Sequence, residues 1–248
     1  MPHLTLSQWL LAILGGFGIG FSKSGFAGVS LLHVLIFASI FIARDSTGIV
    51  LPMLIVGDIL AVIAFRQHAR WEYIRRLLPP AILGVAIGWW LMSRLSAGTF
   101  KPFVGWVIFS LVALQLLRLW RPAIYEKVPH SLWFAWLMGL LAGITTMVAN
   151  AAGPIAALFL IAVSLPKFEL VGTSAWFFFI INCVKVPFSI QLGLIHVETL
   201  ALNALLAPAI VTGLFAGRWC VPRVPQRLFD GLLLAFAAIA ALRLIRVF

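Results

Sequence analysis

The chain has 248 residues, 63% of them hydrophobic and only 10% charged, with a net charge of +11. Soluble domains carry about 25% charged residues, so a soluble globule is excluded and an all-α polytopic membrane protein is implied. The excess of 18 Lys and Arg over 7 Asp and Glu fits the positive bias of cytoplasmic membrane loops, and no soluble domain is present to carry a nucleic-acid role.

In chain order, apolar runs lie near 7–21, 26–42, 46–65, 77–93, 103–120, 132–149, 153–165, 171–190, 199–217 and 228–245. The start, "MPHLTLSQWLLAILGG", has neither a basic region nor a small-residue cleavage site, so no removable signal peptide is expected. The first run is interrupted by "GFGIGFSKSGFAG", Gly16 to Gly28. At 1.5 Å per residue the run 7–21 reaches roughly 22 Å, short of the ~30 Å hydrocarbon core. The opening pair is therefore read as a re-entrant hairpin or a broken helix. Irregular backbone at that depth survives only where protein or water satisfies it.

Asp58, in "LPMLIVGDILAVIAF", is the one carboxylate well inside an apolar run. It is read as an ion-pair partner of Lys23 or as a proton-coupling group. The basic stretch "RQHARWEYIRR" is read as a cytoplasmic loop facing anionic head groups. The most hydrophilic connection, "LWRPAIYEKVPHS" (Leu119 to Ser131), lies near the midpoint.

The second half then repeats the first. A polar break, "TTMVANAAGPIAA" (Thr145 to Ala157), again splits two short apolar runs. "PAILGVAIGWW" (Pro80 to Trp90) is echoed by "PAIVTGLFAGRW" (Pro208 to Trp219), each with a Gly-xxx-Gly pair, Gly84/Gly88 and Gly213/Gly217. Such pairs let helix backbones approach closely in lipid. Two repeats, 1–125 and 126–248, are expected in one membrane domain, each opening with the broken element and continuing with three transmembrane helices.

Charge supports inversion of the halves. With re-entrant openings, Arg66, Arg70, Arg75, Arg76, Arg118, Arg121, Lys127, Lys167, Arg218, Arg223 and Arg227 share one side, against Arg44, Arg94, Lys101, Arg243 and Arg246. Openings that cross once divide them more evenly, so the positive-inside rule favours inverted repeats with both termini outward.

Both breaks precede new helices, whose free N–H groups and partial positive charge suit an anion. Two such ends converging from inverted halves make a transporter-type site. The expected substrate-binding residues are Ser22, Lys23, Ser24 and Gly25 from the first break and Thr146, Asn150 and Gly153 from the second, with Thr145 a further hydroxyl. Asp58, Asn182 and Lys185 form the expected charge-pairing or coupling set. Lys185 is read equally as a functional charge and as a lysine snorkelling to the interface. His33 faces no evident partner, "WFFF" (Trp176 to Phe179) reads as lipid-facing or packed helix surface, and Trp9, Trp71, Trp106, Trp120, Trp133 and Trp219 read as interfacial belts. His68, His130 and His196 lack metal-ligand spacing, Cys183 and Cys220 form no framework, and no cofactor or metal is expected.

The "GFGIGFSKSGFAG" break, the "VGD" within "STGIVLPMLIVGDILAVIAF" and the "RRLLPPAILG" stretch after a basic loop resemble the TauE/SafE (sulfite exporter) family over essentially the whole chain. The resemblance implies transport of sulfur-containing anions such as sulfite, sulfoacetate or other organosulfonates, in a bacterial inner membrane. Ala27, Val29, Ala149, Ala151 and Ala152 depart from the more glycine-rich breaks of relatives.

The sequence thus predicts a secondary transporter of a small anion that works by alternating access, with a proton or sodium ion as the candidate coupling ion and a homodimer as one assembly. A passive anion channel would use the same donors. An intramembrane enzyme acting on lipid phosphate would need an acid, base or metal at a break, and neither break holds Asp, Glu or His.

Overall fold

The computed structural model describes residues 4–26, 29–120, 132–163, 165–220 and 223. Among these it is all-helical: α1 (Leu6–Lys23), α2 (Val29–Ile40), α3 (Ala43–Phe65), α4 (Trp71–Arg94), α5 (Ala97–Trp120), α6 (Leu132–Ala149), α7 (Gly153–Ala162), α8 (Lys167–Gln191) and α9 (Val197–Cys220). The expected run 228–245, most of the midpoint connection and His130 lie outside the described residues.

Among the described residues, five stretches are long and apolar enough to cross a membrane: Ala43–His68, Trp71–Arg94, Leu132–Ala149, Phe168–Gln191 and Val197–Cys220. α2 and α7, with 12 and 10 residues, reach only about 18 and 15 Å at 1.5 Å per residue. The helix α1 is longer than the apolar run suggested. Thr5 caps it in a capping box with Gln8, which satisfies orphan N–H groups at its start, and it continues through Lys23.

Each short helix folds back on its predecessor. In the first pair Gly15 lies against Phe37 and Gly18 against Val29 and His33, so α2 runs antiparallel to α1. In the second, Phe134 near the start of α6 stacks on Phe159 late in α7, with centroids 6.0 Å apart. Both openings are therefore helical hairpins, not single broken helices.

Glycine decides how the long helices cross. Gly84 meets α6 at Leu140, Gly143 and Ile144, while Gly213 meets α1 at the backbone of Phe17. The Gly-xxx-Gly pairs are thus packing surfaces that let backbones touch, as their spacing predicts. Rising residue numbers pair with rising ones in each case, so α6 runs parallel to α4 and α1 parallel to α9. By contrast α3 and α8 are antiparallel, with Gly48 against Leu194 and Gly172 against Phe65.

One end of the bundle is basic. Arg218 stands over the Phe65 ring at 5.9 Å, and Arg70 makes a two-pronged ion pair with Glu169 through Nε at 2.7 Å and Nη2 at 2.5 Å. The Arg70 N–H also donates to Thr173 Oγ1 at 3.0 Å, tying the α3–α4 turn to the start of α8. Trp71, Trp106, Trp120, Trp133 and Trp219 are exposed, whereas Trp9 is half-buried and packs against the core.

Gly143→Ala should cost about 1–3 kcal/mol through overpacking, because its new methyl would strike the backbone of Ala81 and Gly84. Gly16→Ala, whose methyl would meet neighbours at an ordinary 3.5 Å, should stay within about 0.5 kcal/mol of wild type. Thermal melting of the purified protein in detergent compares the two.

Candidate functional site

Both breaks are helix C-caps held in the left-handed region. At the first, Gly25 has φ +119°, a conformation open to glycine because it lacks Cβ, and its N–H reaches the Ser22 carbonyl at 3.3 Å. At the second, Asn150 takes φ +53°, and asparagine is among the few other residues that tolerate this region. Its N–H bonds the Thr146 carbonyl at 3.0 Å, and the Ala151 N–H bonds Thr145 O at 3.3 Å.

The caps stand at different levels. Gly25 lies beside Val171, early in α8, whereas the Asn150 side chain donates to the Thr47 carbonyl, early in α3, at 2.9 Å. As α3 and α8 are antiparallel, the breaks approach from opposite ends of the bundle. One cavity nevertheless touches both, bordered by Ser22, Lys23 and Gly25 on one side and Thr146, Asn150 and Gly153 on the other, with Asn182 between. About 70 Å³ within it is open to the centres of water molecules, room for a small anion.

A polar chain runs behind the cavity from break to break. Lys23 Nζ lies 2.5 Å from Asp58 Oδ1, and Asn182 Nδ2 donates to Asp58 Oδ2 at 2.7 Å. Lys185 Nζ then donates to Asn182 Oδ1 at 3.2 Å, Asn150 Oδ1 at 2.5 Å and Thr146 Oγ1 at 3.1 Å. Asp58 is fully buried and Lys185 is 2% exposed, so Lys185 does not snorkel. Every donor it has is spent on oxygen, which is what a buried ammonium requires.

Several expected anion donors are committed elsewhere. Ser22 and Ser24 hydroxyls each donate back to a carbonyl three residues earlier, Ile19 and Phe21, at 2.7 Å, the local bond serines favour within helices. Ser24 is buried against Gly217 and does not border the cavity. Thr145 likewise donates to Leu141 O at 2.8 Å. The Asn150 and Asn182 amides are engaged at both ends, so they position Lys185 and Asp58 instead of presenting free donors.

Other cavity residues escaped the sequence reading. Phe178, taken for helix surface, borders the cavity with its ring 4.8 Å below Lys23 Nζ, a cation–π arrangement. His33 also borders it. Both are polar-facing only because α2 and α8 pack around the break, and neither has a local sequence signal.

The Lys23–Asp58 pair carries its own expectation. Asp58→Ala leaves an uncompensated buried ammonium and should cost about 3–5 kcal/mol. Lys23→Met/Asp58→Leu together should recover most of that loss, read as melting temperature in detergent, which separates a structural role of the pair from a role in binding.

Residues 12–244 match the family described as sulfite exporter TauE/SafE. Neither the curated proteins nor the solved structures compared with the chain gave a match. With the match spanning nearly its whole length, this multi-pass membrane chain belongs to the sulfite exporter TauE/SafE family of transporters.

Proposed function

We propose that the protein carries a small sulfur-containing oxyanion, such as sulfite, sulfoacetate or another organosulfonate, held in the cavity between the two helix breaks. The observation that carries this reading is that residues of both breaks border one cavity beside an intramembrane lysine. Lys23 is the charged group on the wall. Its ammonium, already 2.5 Å from Asp58, keeps further N–H donors for an anion oxygen.

Alternating access is supported by reciprocity between residues 1–125 and 126–248. α1 of the first lies along α9 of the second, α6 of the second along α4 of the first, and the equivalent helices α3 and α8 run antiparallel. That is the packing expected of inverted repeats rocking about a shared site. The basic end gathers Arg66, Arg70, Arg75, Arg76 and Arg218, which the positive-inside rule assigns to the cytoplasm of a bacterial inner membrane. Asp58, in the buried chain behind the site, is the natural place for a coupling proton.

The test is counterflow in proteoliposomes preloaded in turn with sulfite, sulfoacetate, taurine, thiosulfate, sulfate and a carboxylate. One sulfur anion should exchange in wild type. Lys23→Ala should weaken its apparent affinity roughly 10–100-fold, the value of one hydrogen bond to a charged group. Undiminished exchange in that variant would move the site away from the first break, and exchange of the carboxylate alone would overturn the sulfur-anion reading.

Arg70→Ala, at the exposed ion pair, should leave exchange within about threefold of wild type, because such pairs contribute only about 0–1 kcal/mol. The same counterflow assay measures it.

A further inference from the structure

His33 is a titratable group on the cavity wall that the proposed function leaves unused. It sits mid-way along α2, is 1% exposed, borders the cavity, and neither Nδ1 nor Nε2 has a hydrogen-bond partner among the described residues. Buried polar nitrogens are ordinarily bonded. An imidazole bare at both nitrogens and set on the wall of this cavity is matched to something that enters it.

The charges around it say what. Lys23 on α1 faces the cavity, with Asp58 on α3 and Lys185 on α8 behind it. α7 has no titratable side chain, and α2 has none besides His33. Arg44 and Asp45 stand at the start of α3, beyond the far end of α2, and Cys183 on α8 is exposed. Among the described residues, two ammonium groups therefore share one carboxylate. With neutral imidazole the buried group carries one uncompensated positive charge, which a low-dielectric site does not hold without a counter-charge.

We infer that His33 binds the anion and that its proton sets the charge the cavity accepts: a monoanion with the neutral ring, a dianion only when the ring takes up a proton. This rests on the reading of the cavity as the anion site. For a monoanion the neutral ring donates its single N–H to an anion oxygen. For a dianion one proton passes from bulk water to the ring, and the imidazolium meets the second negative charge. An imidazole is suited to this because a change in the charge beside it can change its own protonation.

The experiment is titration calorimetry of the purified full chain at pH 7.5, in two buffers of different ionisation enthalpy, with methanesulfonate as monoanion and sulfate as dianion. About one proton should be taken up per sulfate bound and none per methanesulfonate. Sulfate affinity should fall about tenfold per pH unit as pH rises above neutrality, as one-proton linkage requires. His33→Gln keeps an amide N–H but cannot titrate, and should abolish both the proton uptake and the pH slope with sulfate. The wild-type comparison of the two anions stands even if that variant fails to fold. Sulfate binding without proton uptake, or uptake that survives His33→Gln, overturns the inference while leaving the anion site in place. If neither anion binds the wild type, the cavity reading falls with it.

Discussion

A carboxylate buried in an apolar bundle must be met by positive charge or hydrogen bonds, and Asp58 is met by both. Lys23 reaches it from the end of α1 and Asn182 from the middle of α8. This one constraint ties together three elements of the bundle. It holds the first break against α3, fixes the register of α3 on its antiparallel neighbour α8, and passes through Asn182 to Lys185 and the second break. Because isolated buried charges are so costly, each group in the chain sets the position of the next.

The hairpins bring these groups inward at little cost to the backbone. A helix that stops inside a membrane leaves carbonyls without partners. Here the left-handed caps at Gly25 and Asn150, with hydroxyls of Ser22, Ser24 and Thr145 returning to helix carbonyls, keep much of that polarity internal. Those serines and threonines serve the backbone, while Lys23 and the imidazole of His33 border the cavity. Close glycine crossings at Gly84, Gly143 and Gly213 supply the contact area that hydrophobic burial does not provide between helices in lipid.

An ion pair beside the cavity also has consequences for movement. An anion that engages Lys23 competes with Asp58 for the same ammonium, and any weakening of that pair is felt by Asn182 and then Lys185. Lys23 at the first break and the Asn150 cap of the second are thereby joined by contiguous polar contacts. Any movement of α3 relative to α8 would have to accommodate this chain, since both helices belong to it.

By itself the sequence determined the membrane class, the helical runs, the duplicated Gly-xxx-Gly marks and the identity of the intramembrane charges. These follow from composition and short-range pattern, because hydrocarbon thickness sets run length and the cost of a buried charge makes Lys23, Asp58 and Lys185 conspicuous. Only the tertiary structure decided that each opening pair is a hairpin, that Lys185 is saturated by Thr146, Asn150 and Asn182 instead of snorkelling, and that His33 and Phe178 face the cavity. The hydrophobic pattern cannot reveal those directions: a helix apolar on every side gives no sign of which face meets lipid and which meets protein. Contacts between residues 35 and 124 positions apart exist only once the helices have packed.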